Sequence, residues 1–145
     1  MNMAKVARER SNCLRMSVGA VLVKDKRVIT TGYNGAPIGV KDCIDGGCKR
    51  CLERDRNKLK PSQNKELCIC LHAEQNTILQ SAYHGSSARG ATLYSTIEPC
   101  VQCAKILINA GVKEVVYGQT HYDKSHEDNL GKKLLKSAKV KVRKI

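Results

Sequence analysis

The stretch that decides the fold is residues 91–118, ATLYSTIEPCVQCAKILINAGVKEVVYG. Ala91 to Thr96 is short and rich in strand-forming residues, and it reads as a strand. Val101 to Ala110 places apolar residues at helical spacing, and Gly111 suits the cap that ends such a helix. Val112 to Gly118 follows as another strand. Working upstream, Ala73 to Ala82 has a helical pattern. Val18 to Val23 and Val28 to Gly32 are β-rich runs joined by the charged turn Lys24 to Lys26, which predicts a hairpin, and Ala4 to Ser11 forms a short basic helix before it. Downstream, Glu127 to Ser137 and Lys139 to Ile145 read as helix then strand. The alternation predicts an α/β domain, a three-layer α/β/α sandwich around a central mixed five-stranded sheet.

At 145 residues the chain is the size of one domain, residues 1–145, able to bury roughly two-thirds of the surface its unfolded form exposes. With 41% apolar and 27% charged residues it is globular, and because Phe and Trp are absent its core is expected to be aliphatic. Long uncharged apolar runs are lacking, and the N-terminus is basic where a signal peptide would be apolar. A soluble, cytoplasmic protein with no membrane partner is therefore expected. The net charge of +13 calls for an anionic partner: a nucleic acid, a nucleotide phosphate or an acidic surface. Between Leu130 and Ile145 lie seven basic residues and no acidic ones, with Leu130, Leu134, Leu135 and Ala138 at helical spacing. That pattern fits the solvated face of an amphipathic helix as well as it fits a binding face.

Eight cysteines in a chain of this kind point to metal rather than disulfides, because six fall in close pairs: Cys48 and Cys51, Cys68 and Cys70, Cys100 and Cys103. Residues 42–70 are polar, charged and without a sustained apolar period, so they read as an insertion that needs a metal staple in place of a core.

The chemistry concentrates in His72-Ala73-Glu74 and in Pro99-Cys100-Val101-Gln102-Cys103, where Cys100 falls 28 residues after His72. Cys100 and Cys103, three apart at a helix start, present both sulfurs on one side, where backbone N–H groups favour thiolates. His72 adds a neutral imidazole. Three protein ligands leave the fourth zinc position open, which separates a catalytic site from a closed structural one, and zinc lowers the pKa of water there toward about 7. Glu74, two residues from His72, is placed to carry protons without ligating. The competing arrangement joins His72, Cys100 and Cys103 to another cysteine in a closed site and leaves Glu74 on the surface.

These residues match the general zinc-deaminase signature, and with Cys13, Ser17-Val18-Gly19-Ala20-Val21, Gly32-Tyr33-Asn34-Gly35-Ala36-Pro37, Glu66-Leu67-Cys68 and His72-Ala73-Glu74-Gln75-Asn76 the chain resembles the deoxycytidylate (dCMP) deaminases of the cytidine deaminase superfamily from about Ser11 to Val142. The resemblance implies hydrolysis of dCMP to dUMP and ammonia with Glu74 as proton carrier, feeding thymidylate synthesis under dCTP and dTTP control. It also implies two zinc ions. His72, Cys100 and Cys103 would hold the catalytic one, and Cys13, Cys43, Cys48 and Cys68 a structural one, with Cys51 or Cys70 as substitutes. It further implies that Asn34 holds the sugar hydroxyl, that Ala73 touches substrate, and that Gly35, Ala36, Pro37 and Gly39 meet an allosteric nucleotide. On residues alone that loop is equally a hairpin exit turn. Superfamily members assemble, so a homo-oligomer, a hexamer, is implied.

The substrate phosphate needs a cation, for which Arg15, Lys41 or a neighbouring subunit qualifies. Tyr122 suits a cover over the pocket better than Tyr94, which falls in a predicted strand, and His84, His121 and His126 read as surface histidines. Three alternatives stand beside dCMP deamination. The enzyme also accepts dCTP; or it acts on tRNA or single-stranded DNA, which the scarcity of aromatic rings disfavours; or Cys48, Cys51, Cys68 and Cys70 form a zinc-ribbon-like binding module without catalysis.

Overall fold

The computed structural model describes residues 1–60, 63–119 and 126–145, and the side chains of all of these except 126–129. In chain order the elements are α1 (Asn2–Arg8), β1 (Gly19–Lys24), β2 (Arg27–Tyr33), α2 (Lys49–Asp55), a 3-10 turn (Lys65–Leu67), α3 (Ala73–Tyr83), β3 (Thr92–Ile97), α4 (Val101–Asn109), β4 (Glu114–Gln119), α5 (His126–Ser137) and β5 (Lys141–Lys144). The strands form one mixed sheet in the order β2-β1-β3-β4-β5. Pairing is antiparallel between β2, β1 and β3 and parallel between β3, β4 and β5. The predicted five-stranded mixed sheet is present.

The register explains the layers. Ala20 pairs with Ser95 and Leu22 with Leu93, while Leu93 pairs with Val115, so these residues share one face of the sheet. On that face they pack with Ala73 of α3, Ala104 and Leu107 of α4 and Leu135 of α5 in one aliphatic core. Burying each leucine contributes roughly 1.5–3 kcal/mol. Helix α1 lies against the opposite face, so close that a Cβ on Gly19 would fall 2.0 Å from the Ala4 carbonyl oxygen. Gly111 closes α4 as foreseen: at φ 76° it donates to the Ile108 carbonyl, and Val112 N–H reaches back to the Leu107 carbonyl. This pair of bonds is a Schellman cap. The β1–β2 hairpin turns through Asp25 and Lys26, both in the left-handed region, as a two-residue hairpin requires.

Helix α2 departs from the sequence reading, which found no element in the insertion. Of its residues only Cys51 is buried, so its inward side is sulfur and carries no aliphatic period to detect. Ala138 also departs: it lies beyond α5 and is exposed, while Leu135 alone of that stripe is fully buried. Tyr122 and His121 lie outside the described residues, as does the side chain of His126. Among the described residues no helix is long and apolar enough to cross a membrane.

Edge strand β5 is tied to β4 by Glu114, whose Oε1 accepts from Arg143 Nε at 2.7 Å and lies 3.9 Å from Lys141 Nζ. The bond from Arg143 holds the Glu114 carboxyl below its ordinary value. A carboxylate with a depressed folded pKa stabilises fully above its unfolded pKa, about 4.3, and the contribution fades as pH falls through the folded value. Glu114→Gln is therefore expected to melt below the unsubstituted protein at pH 7. Thermal scans at descending pH should show the gap closing below about pH 4, because only the native carboxylate is protonated away.

Candidate metal and catalytic site

Two helix starts meet at the edge of the core. His72 caps the N-terminus of α3 and Cys100 that of α4, each with extended backbone. The approach of α3 to β2 is set by Gly32, where a Cβ would fall 2.4 Å from Thr77 Oγ1 and 2.5 Å from the Ala73 carbonyl oxygen. His72 N–H donates to Gln75 Oε1 at 2.8 Å, which locks the first turn.

The imidazole Nδ1 lies 3.5 Å from Cys100 Sγ and 3.3 Å from Cys103 Sγ, and the three donors form one mutually close set. Tetrahedral arms of about 2.0–2.1 Å to nitrogen and about 2.3 Å to sulfur put the two donors about 3.6 Å apart, so the set fits a zinc ion. Among the described residues no fourth His, Cys, Asp or Glu joins it. The electrostatics fit as well. The Cys103 thiol donates to Cys100 and holds the latter's thiol down to about 3, whereas Cys103 itself is pushed up by that bond and by burial. The bond with Cys100 raises His72 to about 9. A divalent cation at this point displaces those protons and neutralises buried negative charge.

Glu74, 4% exposed, is held from both sides. Ser95 Oγ donates to its Oε1 at 3.0 Å, and Cys103 Sγ lies 3.6 Å from its Oε2. The sequence reading missed Ser95. Its signal is a small hydroxyl residue on the inward face of an otherwise aliphatic strand, fully buried in line with Leu93. Tyr94, one residue earlier on β3, takes the opposite face of the sheet and belongs away from Glu74.

The loop after β2 reaches this centre through an isolated bridge: Gly35 and Leu71 exchange both backbone hydrogen bonds, one residue before His72. Asn34 is buried, with its amide engaged by its own chain. Oδ1 accepts from Val18 N–H at 2.7 Å and from Ser11 Oγ at 2.8 Å, and Nδ2 donates to the Met16 carbonyl at 2.7 Å. Its observed role is to pin residues 11–18 against the site, leaving one Nδ2 hydrogen for a ligand. Pro37 to Val40 form a tight turn with Gly39 at φ 81°. Arg15 and Lys41 are exposed, and Ala73 is buried with its N–H at the open start of α3.

The second cysteine assembly differs from the quartet of Cys13, Cys43, Cys48 and Cys68. Cys13 and Cys43 gather with Cys51 and Cys70, and Cys48 and Cys68 gather with the same Cys51 and Cys70. The two residues treated as substitutes are the shared ones, because α2 turns Cys51 inward and Cys70 precedes the Leu71 bridge. The set of Cys48, Cys51, Cys68 and Cys70 foreseen for a binding module is thus present, beside the His72 set and not instead of it.

Residues 1–119 match the family described as "Cytidine and deoxycytidylate deaminase zinc-binding region", and the chain belongs to that family. It is 40% identical over 143 residues to a deoxycytidylate deaminase of Saccharomyces cerevisiae, covering 99% of this chain and 42% of that protein. It is 33% identical over 152 residues to the deoxycytidylate deaminase of Enterobacteria phage T4, covering 86% and 78%. The chain thus spans less than half the length of its yeast relative. In three dimensions it resembles the dCMP deaminase of cyanophage S-TIM5 in complex with dCMP and dUMP, with TM-score 0.77 and 32% identity over 99% of this chain and 92% of that one.

Helix α5 closes the site from behind. A Cβ on Gly131 would fall 2.7 Å from the Pro99 carbonyl oxygen and 2.9 Å from the Cys100 carbonyl carbon. In an isolated helix Gly→Ala stabilises by about 1 kcal/mol. Here Gly131→Ala is expected to lower the melting temperature and weaken zinc binding at Cys100, measured by thermal scans and competition with a chelator.

Proposed function

We propose that this protein hydrolyses the 4-amino group of dCMP, giving dUMP and ammonia. The observation that carries the reading is the placement of the Glu74 carboxylate, buried and held by Ser95, against a three-donor set of His72, Cys100 and Cys103. The choice of dCMP rests on the relatives and on the structure that holds dCMP and dUMP.

His72, Cys100 and Cys103 would hold a zinc ion, which when bound would supply an activated water at neutral pH. Glu74 would take one proton from the attacking water and hand it to the ring nitrogen next to the reacting carbon, then take the second proton from the added hydroxyl and give it to the amine, which leaves as ammonia as the carbonyl forms. Ser95 keeps Glu74 Oε1 fixed, which leaves the other oxygen to face the reaction. The remaining Asn34 Nδ2 hydrogen is assigned to the sugar hydroxyl, the Ala73 N–H to the base edge, and exposed Arg15 with Lys41 to the phosphate. Tyr122 is assigned to the cover of the base.

A dUMP product points to thymidylate synthesis, with dCTP and dTTP as effectors at Gly35, Ala36, Pro37 and Gly39. The eight unpaired cysteines suit a reducing compartment, the cytoplasm. Exposed Ile38, Val40 and Ile44 beside that loop favour a homo-oligomer, for which a hexamer is the proposed form, to be measured by sedimentation.

The purified protein is expected to release ammonia from dCMP and not from cytidine or a cytosine-containing oligonucleotide. Turnover of dCTP as well would broaden the substrate class, and activity confined to the oligonucleotide would contradict the proposal. Glu74→Gln should lower kcat by about 10²–10⁴-fold while the zinc content at Cys100 and Cys103 is retained. If Ser95 positions Glu74, Ser95→Ala should lower kcat with little change in KM.

A further inference from the structure

Six sulfurs from four separate segments form the interior of the insertion. Cys43, Cys48 and Cys51 are its buried residues, and Cys13, Leu14, Cys68 and Cys70 pack around them. An aliphatic core is lacking among the described residues there, so ordinary burial does little to hold the segments together. The six thiols divide into two overlapping sets, Cys13, Cys43, Cys51 and Cys70, and Cys48, Cys51, Cys68 and Cys70, each with all its sulfurs within 4.8 Å of one another.

Each set offers the four sulfur donors that a tetrahedral zinc shell needs. A zinc ion with arms of about 2.3 Å spaces its sulfurs about 3.8 Å apart. Cys51 Sγ lies 3.8 Å and Cys48 Sγ 4.0 Å from Cys68 Sγ. These are ligand-edge separations, well beyond the about 2.05 Å of a disulfide. Cys70 hydrogen-bonds to Cys13 of one set and Cys68 of the other, and Cys51 contacts Cys43 of one and Cys48 of the other. A thiolate sulfur has lone pairs enough for two metal ions. One ion alone takes four sulfurs and strands the remaining pair, either Cys48 and Cys68 or Cys13 and Cys43, and each pair includes a fully buried sulfur.

We propose that the insertion is built on a two-zinc, six-thiolate cluster in which Cys51 and Cys70 each bridge both ions, Cys13 and Cys43 terminate one ion, and Cys48 and Cys68 terminate the other. Binding releases the six thiol protons and involves no oxidation. The cluster ties the segment before β1, the loop at Cys43, helix α2 and the extended segment entering His72 into one unit. Cys70 stands two residues before His72, so the cluster also anchors the bridge between Leu71 and Gly35 of the loop after β2. The inference goes beyond the deaminase reading and stands independently of it.

The test is native mass spectrometry of the zinc-replete protein beside a Cys100→Ser/Cys103→Ser variant, which lacks two donors of the catalytic set. Three zinc ions in the unsubstituted chain and two in the variant are expected. One zinc ion or none in the variant, or a disulfide among the six cysteines, overturns the cluster. The difference between the two proteins reports separately on the catalytic zinc. Should the variant fail to fold, cadmium-113 NMR of the cadmium-substituted unsubstituted protein decides. Two resonances coupled to one another through the shared sulfurs are expected, and the lack of such coupling overturns the bridging.

Discussion

Everything in this molecule is arranged around the meeting of two helix N-termini over one face of a sheet. His72 opens α3 and Cys100 opens α4, and the two donors come within 3.5 Å because β3 carries one helix out and β1 and β2 cradle the other. The aliphatic core beneath, from Ala20 and Leu22 through Leu93 to Leu107 and Leu135, fixes that distance. A close-packed interior transmits small shifts instead of absorbing them. Glycine marks the places where backbones must nearly touch to achieve it, Gly32 against α3 and Gly131 against the Pro99–Cys100 turn.

The insertion extends the same logic with sulfur in place of hydrocarbon. Its segments are too polar to collapse, and its cysteines sit where leucines would sit in a conventional core. The Gly35–Leu71 bridge joins this region to the start of α3, so order in the cysteine assembly passes directly to His72. Asn34, spending its side chain on Ser11, Val18 and Met16, serves the same end from the other side.

The sheet, its hairpin and the three later helices were legible in the sequence because aliphatic residues there repeat with strand or helix period and Gly111 ends α4. The His72, Cys100 and Cys103 set was legible because metal chemistry restricts residue type and spacing. Helix α2 was not, since its buried side is cysteine. Nor was the sharing of Cys51 and Cys70, which depends on how four distant segments converge and leaves no local pattern. Ser95 and Gly131 escaped for a similar reason: each acts through a neighbour brought close only by folding.

The most direct measurement of the central claim is a crystal structure of the zinc-loaded protein with dUMP. The account predicts that the C4 edge of the pyrimidine faces His72, Cys100 and Cys103, with Glu74 within hydrogen-bonding distance of that edge. A fourth protein side chain closing the zinc site, or dUMP bound with its C4 edge turned away from Glu74, would contradict it.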